Sequence, residues 1–163
     1  MGIRNSWDRK EKVTIVPHAG LMDESAMGPE EGPLQRARLH IRGGRRRLRQ
    51  GKLPAGIVTL YDAVCAALEW YFASPGRREG LIINEDDDLR DDRTLYEVLT
   101  RSGVLDGRFD YKAFNKLVER VLYTDSVDFD HEEMVKGIED VMTRLGVMPF
   151  DEKELPPEDP STF

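Results

Sequence analysis

The densest group of residues that could do chemistry lies between Leu34 and Lys52. This stretch carries seven arginines, one lysine and His40, and it contains no acidic residue. Guanidinium groups at helical spacing can follow the phosphates of a nucleic acid, and they pair equally well with carboxylates of a protein. The arginines that run beside the apolar stripe of the predicted helix are the candidate binding residues Arg38, Arg42, Arg45 and Arg49.

Three alternatives remain open for these arginines. They could pair within the chain or be solvated, with the six acids of residues 85–92 opposite them, because arginine stems often lie along a core edge. They could bind an acidic protein partner. They could bind nucleic acid, although no aromatic residue interleaves them as single-strand recognition would favour.

Carboxylates form the second group of candidates. Asp62 and Glu69 share one face of a helix but are separated by about 10 Å along its axis, so a single metal ion would need ligands from another helix. Residues Asp86–Asp92 include a D-D-x-x-D string at Asp87–Asp91, which resembles the magnesium-binding string of isoprenoid synthases. A divalent-metal enzyme is therefore one alternative. The other is that Asp62 and Glu69 form an exposed or arginine-paired strip, while the acids of residues 86–92 cap helices and face solvent.

The remaining reactive side chains predict neither a catalytic residue nor a cofactor. The histidines are His18, His40 and His131, and none has a second histidine or a cysteine at metal-ligand spacing. Cys65 lies among Val64, Ala66 and Ala67, which indicates a buried structural thiol. It is the single cysteine of the sequence, which indicates a reducing compartment.

The elements that position these residues are predicted to be helices. Apolar spacing indicates an all-α fold, an antiparallel bundle of about five helices. Leu34, Ala37, Ile41, Gly44 and Leu48 form the apolar stripe of the first helix. The predicted helices are Leu34–Arg49, Ala55–Ala73, Thr94–Arg101, Tyr111–Tyr123 with Leu122 inward, and one capped by Asp128 or Asp130 that stops at Gly146.

Two end segments flank this bundle domain, which spans residues 33–148. Residues 1–32 form an extended lead-in that includes the β-branched run Val13–Val16. Residues 149–163, the tail, contain four prolines among five acids, so we expect them to be extended or disordered. If the tail crosses a second copy of the chain, its apolar anchors are Phe150, Leu155 and Phe163.

The composition bounds the classes of function. The chain has 163 residues and a net charge of −7, which argues against binding to nucleic acid or anionic membrane by the molecule as a whole. No run approaches 18 apolar residues, so we expect no membrane partner, and a cytoplasmic location.

The stretch from Arg47 to Ala55, running into Leu60–Glu69, resembles the early helices of HEPN-type bundles. In that family a basic helix, a short glycine-containing turn and an alanine-rich helix recur. The resemblance implies a helical bundle that dimerises or partners another protein. Its nuclease members place a histidine four to six residues after an arginine, whereas Arg120 and His131 are eleven apart, so nuclease activity is not implied.

Together these features favour an interaction module that associates with a protein partner or with a second copy of itself. The alternatives are a nucleic-acid-binding protein that uses the arginine helix 36–49 and a metal-dependent helical enzyme.

Overall fold

The computed structural model describes residues 24–124 and 130–163 as an all-helical bundle. Within those residues there are six α-helices, three short 3-10 turns and no strand. The all-α prediction is thereby confirmed, with one short helix more than the sequence indicates. The helices are α1 (Glu31–Arg49), α2 (Leu53–Ala73), α3 (Pro75–Glu79), α4 (Asp92–Arg101), α5 (Tyr111–Val121) and α6 (His131–Leu145).

Helices α1 and α2 form the closest pair of the bundle. The predicted apolar stripe of α1 is buried at Ala37, Ile41 and Leu48. At Gly44 the two backbones approach so closely that a Cβ atom would lie 2.7 Å from the side chain of Leu60. Helix α1 continues through Gly43 and Gly44 without a break. The missing side chain at Gly44 permits the close contact with α2.

Helix α2 lies at the centre of the bundle, as its apolar sequence predicts. It contacts every other α-helix, and Ala63, Val64, Ala67 and Leu68 are fully buried. Among the described residues it is also the one helix with the length and hydropathy of a membrane span, a property that the core helix of a bundle shares.

Arg77 closes the carboxyl end of α2. Its guanidinium donates to the carbonyls of Trp70 and Tyr71 and lies 3.9 Å from the Trp70 ring. Because the last carbonyls of a helix have no partner within it, this arginine stabilises the helix end. Arg77 belongs to α3, a short helix that the sequence analysis does not predict.

Aspartates begin the last three helices. Asp91 caps α4, Asp110 accepts from Ala113 N in α5, and Asp130 accepts from two amides of α6. The caps at Asp110 and Asp130 are those the sequence predicts, and Asp128 lies outside the described residues. Gly146 ends α6 in the left-handed conformation with φ 95°, as its glycine predicts.

The inward position predicted for Leu122 is wrong. Helix α5 ends at Val121, and Leu122 is 64% exposed. The buried stripe of α5 runs through Phe114, Val118 and Val121, and Leu122 is about 100° around the helix from Val121.

The described part of the lead-in, residues 24–32, forms a 3-10 turn at Glu24–Ala26 and then enters α1. The predicted run Val13–Val16 and His18 lie outside the described residues. At the other end, the tail is extended and interrupted by two 3-10 turns, Glu152–Glu154 and Pro160–Thr162.

Candidate functional site

The tail lies along one side of α1. Four arginines of α1 contact it or the segment that leads into it, and we call them the arginine surface: Arg38, Arg42, Arg45 and Arg46. These contacts are spread from Val147 to Glu158. In the sequence the two segments are separate charged features, and the tertiary structure joins them.

The first contacts are made with backbone carbonyls. Arg38 Nε donates to the carbonyl of Val147 at 3.1 Å, and Arg42 Nη2 donates to the carbonyl of Pro156 at 2.5 Å. The guanidinium of Arg38 also lies 5.5 Å from the centre of the Phe150 ring. Carbonyls and an aromatic face suit guanidinium groups, so this part of the arginine surface holds an extended chain by its main chain.

Arg46 and Glu158 form the most buried ion pair of this interface. Arg46 Nε lies 3.0 Å from Glu158 Oε2, and the two side chains are 10% and 13% exposed. Arg46 also lies 4.5 Å from the Phe163 ring. Of the predicted tail anchors, Leu155 is buried, Phe150 is half-buried against the core, and Phe163 is 51% exposed.

The predicted set of four binding arginines is divided between two surfaces. Arg45 pairs with Glu139 of α6 at 2.7 Å and with Glu152 of the tail at 3.6 Å. Arg49 is exposed and borders a groove on the α6 side that also contains Arg45, His131 and Lys136. Arg38, Arg42 and Arg45 therefore face the tail side of α1, with Arg46 in the place that the prediction gives to Arg49.

The acids of residues 85–92 do not lie opposite the arginine surface. Asp87 pairs with Arg101 at 2.8 Å, and that hydrogen bond lowers the pKa of the Asp87 carboxyl. Asp88 pairs with its neighbour Arg90 at 3.1 Å. Asp87 and Asp88 thus pair with arginines close to them in the sequence and stabilise the loop before α4. The carboxylates that pair with the arginine surface come instead from the tail and from α6.

Asp62 and Glu69 face arginines of α1. Glu69 pairs with Arg36, which also donates to Glu24 at 2.5 Å. Burial raises the pKa of the Asp62 carboxyl, and the positive charges of Arg36 and Arg47 offset part of that rise. The predicted pairing of this strip with arginines is confirmed at Glu69.

Arg47, which is not one of the four candidate binding arginines, is buried against α2. It is 4% exposed and donates to Thr59 Oγ1 at 2.7 Å. Burial lowers the pKa of its guanidinium, and the neighbouring charge of Arg46 acts in the same direction. Thr59 is thus the hydrogen-bond acceptor that α2 supplies to this buried arginine.

A polar cluster that the sequence analysis misses joins α2, α4 and α5. Tyr61 and Tyr111 both donate to Asp92 Oδ2, Tyr61 at 3.1 Å. Burial raises the pKa of the Cys65 thiol beside them to about 11, and its hydrogen bond with Tyr61 offsets part of the rise. Burial also raises the pKa values of Tyr61 and Tyr111. The sequence signal for this cluster is a tyrosine within the apolar stripe of a helix, because a tyrosine hydroxyl that is buried there requires a hydrogen-bond partner.

Asp92 and Cys65 border a cleft of about 810 Å³ between the lead-in, α2 and the loop before α4. Glu69, Phe72 and Arg90 also line it. Within residues 24–124 and 130–163, no three side chains of His, Cys, Asp or Glu are grouped so as to hold a metal ion. The raised pKa keeps the Cys65 thiol protonated at neutral pH, and a protonated thiol is a poor nucleophile.

Comparison of the chain with protein-family models, with curated proteins and with solved structures finds no match.

Proposed function

We propose that this chain is a protein association module whose arginine surface binds an extended acidic segment. The observation that carries the proposal is the chain's own tail, which lies on that surface. Two arginines donate to main-chain carbonyls, one pairs with a largely buried carboxylate, and two lie over aromatic rings.

This combination of contacts suits a protein segment better than a nucleic acid. Carbonyl acceptors such as those of Val147 and Pro156 belong to any peptide, whereas the duplex phosphates offer a regular row of anions. Arg38, Arg42 and Arg45 already have partners within the chain. A nucleic acid would have to displace the tail and compete with Glu139 for Arg45.

In the homodimeric form of the proposal, two copies exchange their tails. The same contacts would then form between chains, with Phe150, Leu155 and Phe163 as the apolar anchors. The HEPN-like relationship and the cytoplasmic location are predictions that accompany this proposal.

The test uses a fluorescent peptide of residues 149–163 and a chain that ends at Met148, with its helical content checked by circular dichroism. We expect binding that raises the anisotropy of the peptide and weakens as salt is added. Arg42→Gln should weaken binding several-fold, and Arg49→Gln is the matched control because Arg49 is exposed and lies outside the arginine surface. A folded shortened chain that leaves the peptide free would refute the proposal.

The oligomeric state tests the homodimeric form separately. Size-exclusion chromatography with light scattering at low and high salt should show a dimer for the full chain and its weakening in the chain that ends at Met148. An unchanged oligomeric state in the two chains contradicts tail exchange. A species that absorbs at 260 nm and is removed by high salt would instead favour the nucleic-acid alternative.

A further inference from the structure

The tail is attached to the bundle in a way that lets it leave without disturbing the core. Helix α6 ends at Leu145, and Val147 is fully buried and accepts from Arg38. Beyond Met148 and Phe150, which pack against the core from outside, Leu155 is the tail's buried apolar side chain. The bundle therefore keeps its own apolar core when the residues after Phe150 move away.

The fit between the tail and the arginine surface is incomplete. Arg42 Nε and Glu158 Oε1 are buried and have no hydrogen-bond partner among the described residues. Both atoms lie at the interface of the tail with α1. Because an unpaired buried polar atom is unfavourable, a segment that gave Arg42 Nε an acceptor would replace the tail with a gain in binding free energy, and Glu158 would be hydrated once the tail is released.

We propose that the tail is a displaceable cover, which occupies the arginine surface within the chain until an acidic extended segment of a partner protein takes its place. This inference rests on the proposed function, since it assumes that the surface accepts such a segment. Because the tail is tethered to the bundle, it competes with a partner segment at an effective concentration of the order of millimolar. A partner segment therefore binds the full chain more weakly than it binds the uncovered surface. Its affinity for the full chain is reduced in proportion to the fraction of time that the cover is open.

Release of the cover should then strengthen the binding of a partner segment to the arginine surface. A general loss of structure would weaken that binding instead. Glu158→Gln removes the carboxylate that pairs with Arg46 and leaves the arginine surface itself intact. Glu154→Gln makes the same chemical change four residues earlier, on a side chain that is exposed. The two variants have the same net charge, so they differ only in the contact that holds the cover.

The experiment measures binding of the fluorescent 149–163 peptide to the full chain and to these two full-length variants. We expect Glu158→Gln to bind the peptide about ten-fold more tightly than the unaltered chain, and Glu154→Gln to bind it as the unaltered chain does. Hydrogen exchange of the tail amides should be faster in Glu158→Gln than in Glu154→Gln.

Three results would overturn the inference, and they separate it from the proposed function. If the full chain binds the peptide as tightly as the chain ending at Met148, the surface binds acidic segments but the tail does not cover it. If Glu154→Gln matches Glu158→Gln, the effect is one of net charge. If the chain ending at Met148 is folded and binds only a single-stranded oligonucleotide, the proposed function itself fails.

Discussion

Asp92 is the residue that connects three helices through hydrogen bonds. Its Oδ2 accepts from Tyr61 of α2 and from Tyr111 of α5, while Asp92 itself begins α4. Tyr111 also stacks on Tyr96 with 4.3 Å between the ring centres. The buried hydroxyls are thereby satisfied in a region that is otherwise apolar.

We expect Tyr111→Phe to destabilise the fold by about 1–2 kcal/mol, because Asp92 loses a donor while it is partly buried. The free energy of unfolding in urea measures the effect. Tyr123→Phe removes the same hydroxyl from a side chain that is 89% exposed, and it should change the stability by less than about 0.5 kcal/mol. Equal effects of the two substitutions would contradict a structural role for the Asp92 cluster.

At the scale of elements, the contact between α1 and α2 depends on two glycines. Gly44 of α1 faces Leu60, and Gly56 of α2 faces Leu48 at a distance that leaves no room for a Cβ atom. Each helix thus places a leucine over the other's glycine. This reciprocal arrangement brings the arginine-bearing helix against the central helix.

Gly44→Ala should destabilise the protein by about 1–2 kcal/mol. The added methyl group would meet Leu60, which is 1% exposed, and this overpacking outweighs the gain of up to about 1 kcal/mol from the helix propensity of alanine. Urea unfolding measures the change. Gly80→Ala is the control, since no atom lies within 4 Å of its Cβ position and its φ is −85°. A stabilised Gly44→Ala variant would mean that the two helices separate easily.

The tail is the element for which sequence reasoning is least complete. Its prolines and acids predict an extended conformation, which the structure has. Leu155 nevertheless packs in a buried position. Leu155 lies between Glu154 and Pro156, and a single apolar residue gives no periodic signal. Its burial therefore depends on a surface that another part of the chain supplies.

At the scale of the whole molecule, burial disfavours ionisation of several weak acids in the core. It raises the pKa of Cys65 to about 11 and that of Tyr96 to about 12, and it raises the pKa values of Tyr61 and Tyr111 as well. In an unfolded chain, cysteine ionises near pH 8.5 and tyrosine near pH 10. The unfolded state therefore releases these protons first as the pH rises.

We expect the free energy of unfolding to keep its full value up to about pH 8 and to fall steadily between about pH 8.5 and pH 12. Urea unfolding at pH 7, 9, 10 and 11 under reducing conditions measures this dependence. Absorbance at 295 nm should show that Tyr61, Tyr96 and Tyr111 do not ionise with the exposed tyrosines in the folded protein. Titration of every tyrosine near pH 10 without loss of stability would contradict the burial of these groups.

The sequence by itself determined the five longer helices, the caps at Asp110 and Asp130 and much of the core. Apolar periodicity places Ala37 and Ile41 inward, Asp110 and Asp130 begin helices, and Gly146 ends one. These features depend on residues within one or two turns of each other, so they can be read locally.

Only the tertiary structure decided which charges meet. Arg46 pairs with Glu158 across 112 positions of sequence, whereas Asp87 and Asp88, which are nearer to α1 in the chain, pair with Arg101 and Arg90. An ion pair has no periodic pattern in sequence, because each arginine can pair with any carboxylate that the fold brings near. The contact between the tail and the arginine surface is therefore a property of the folded chain.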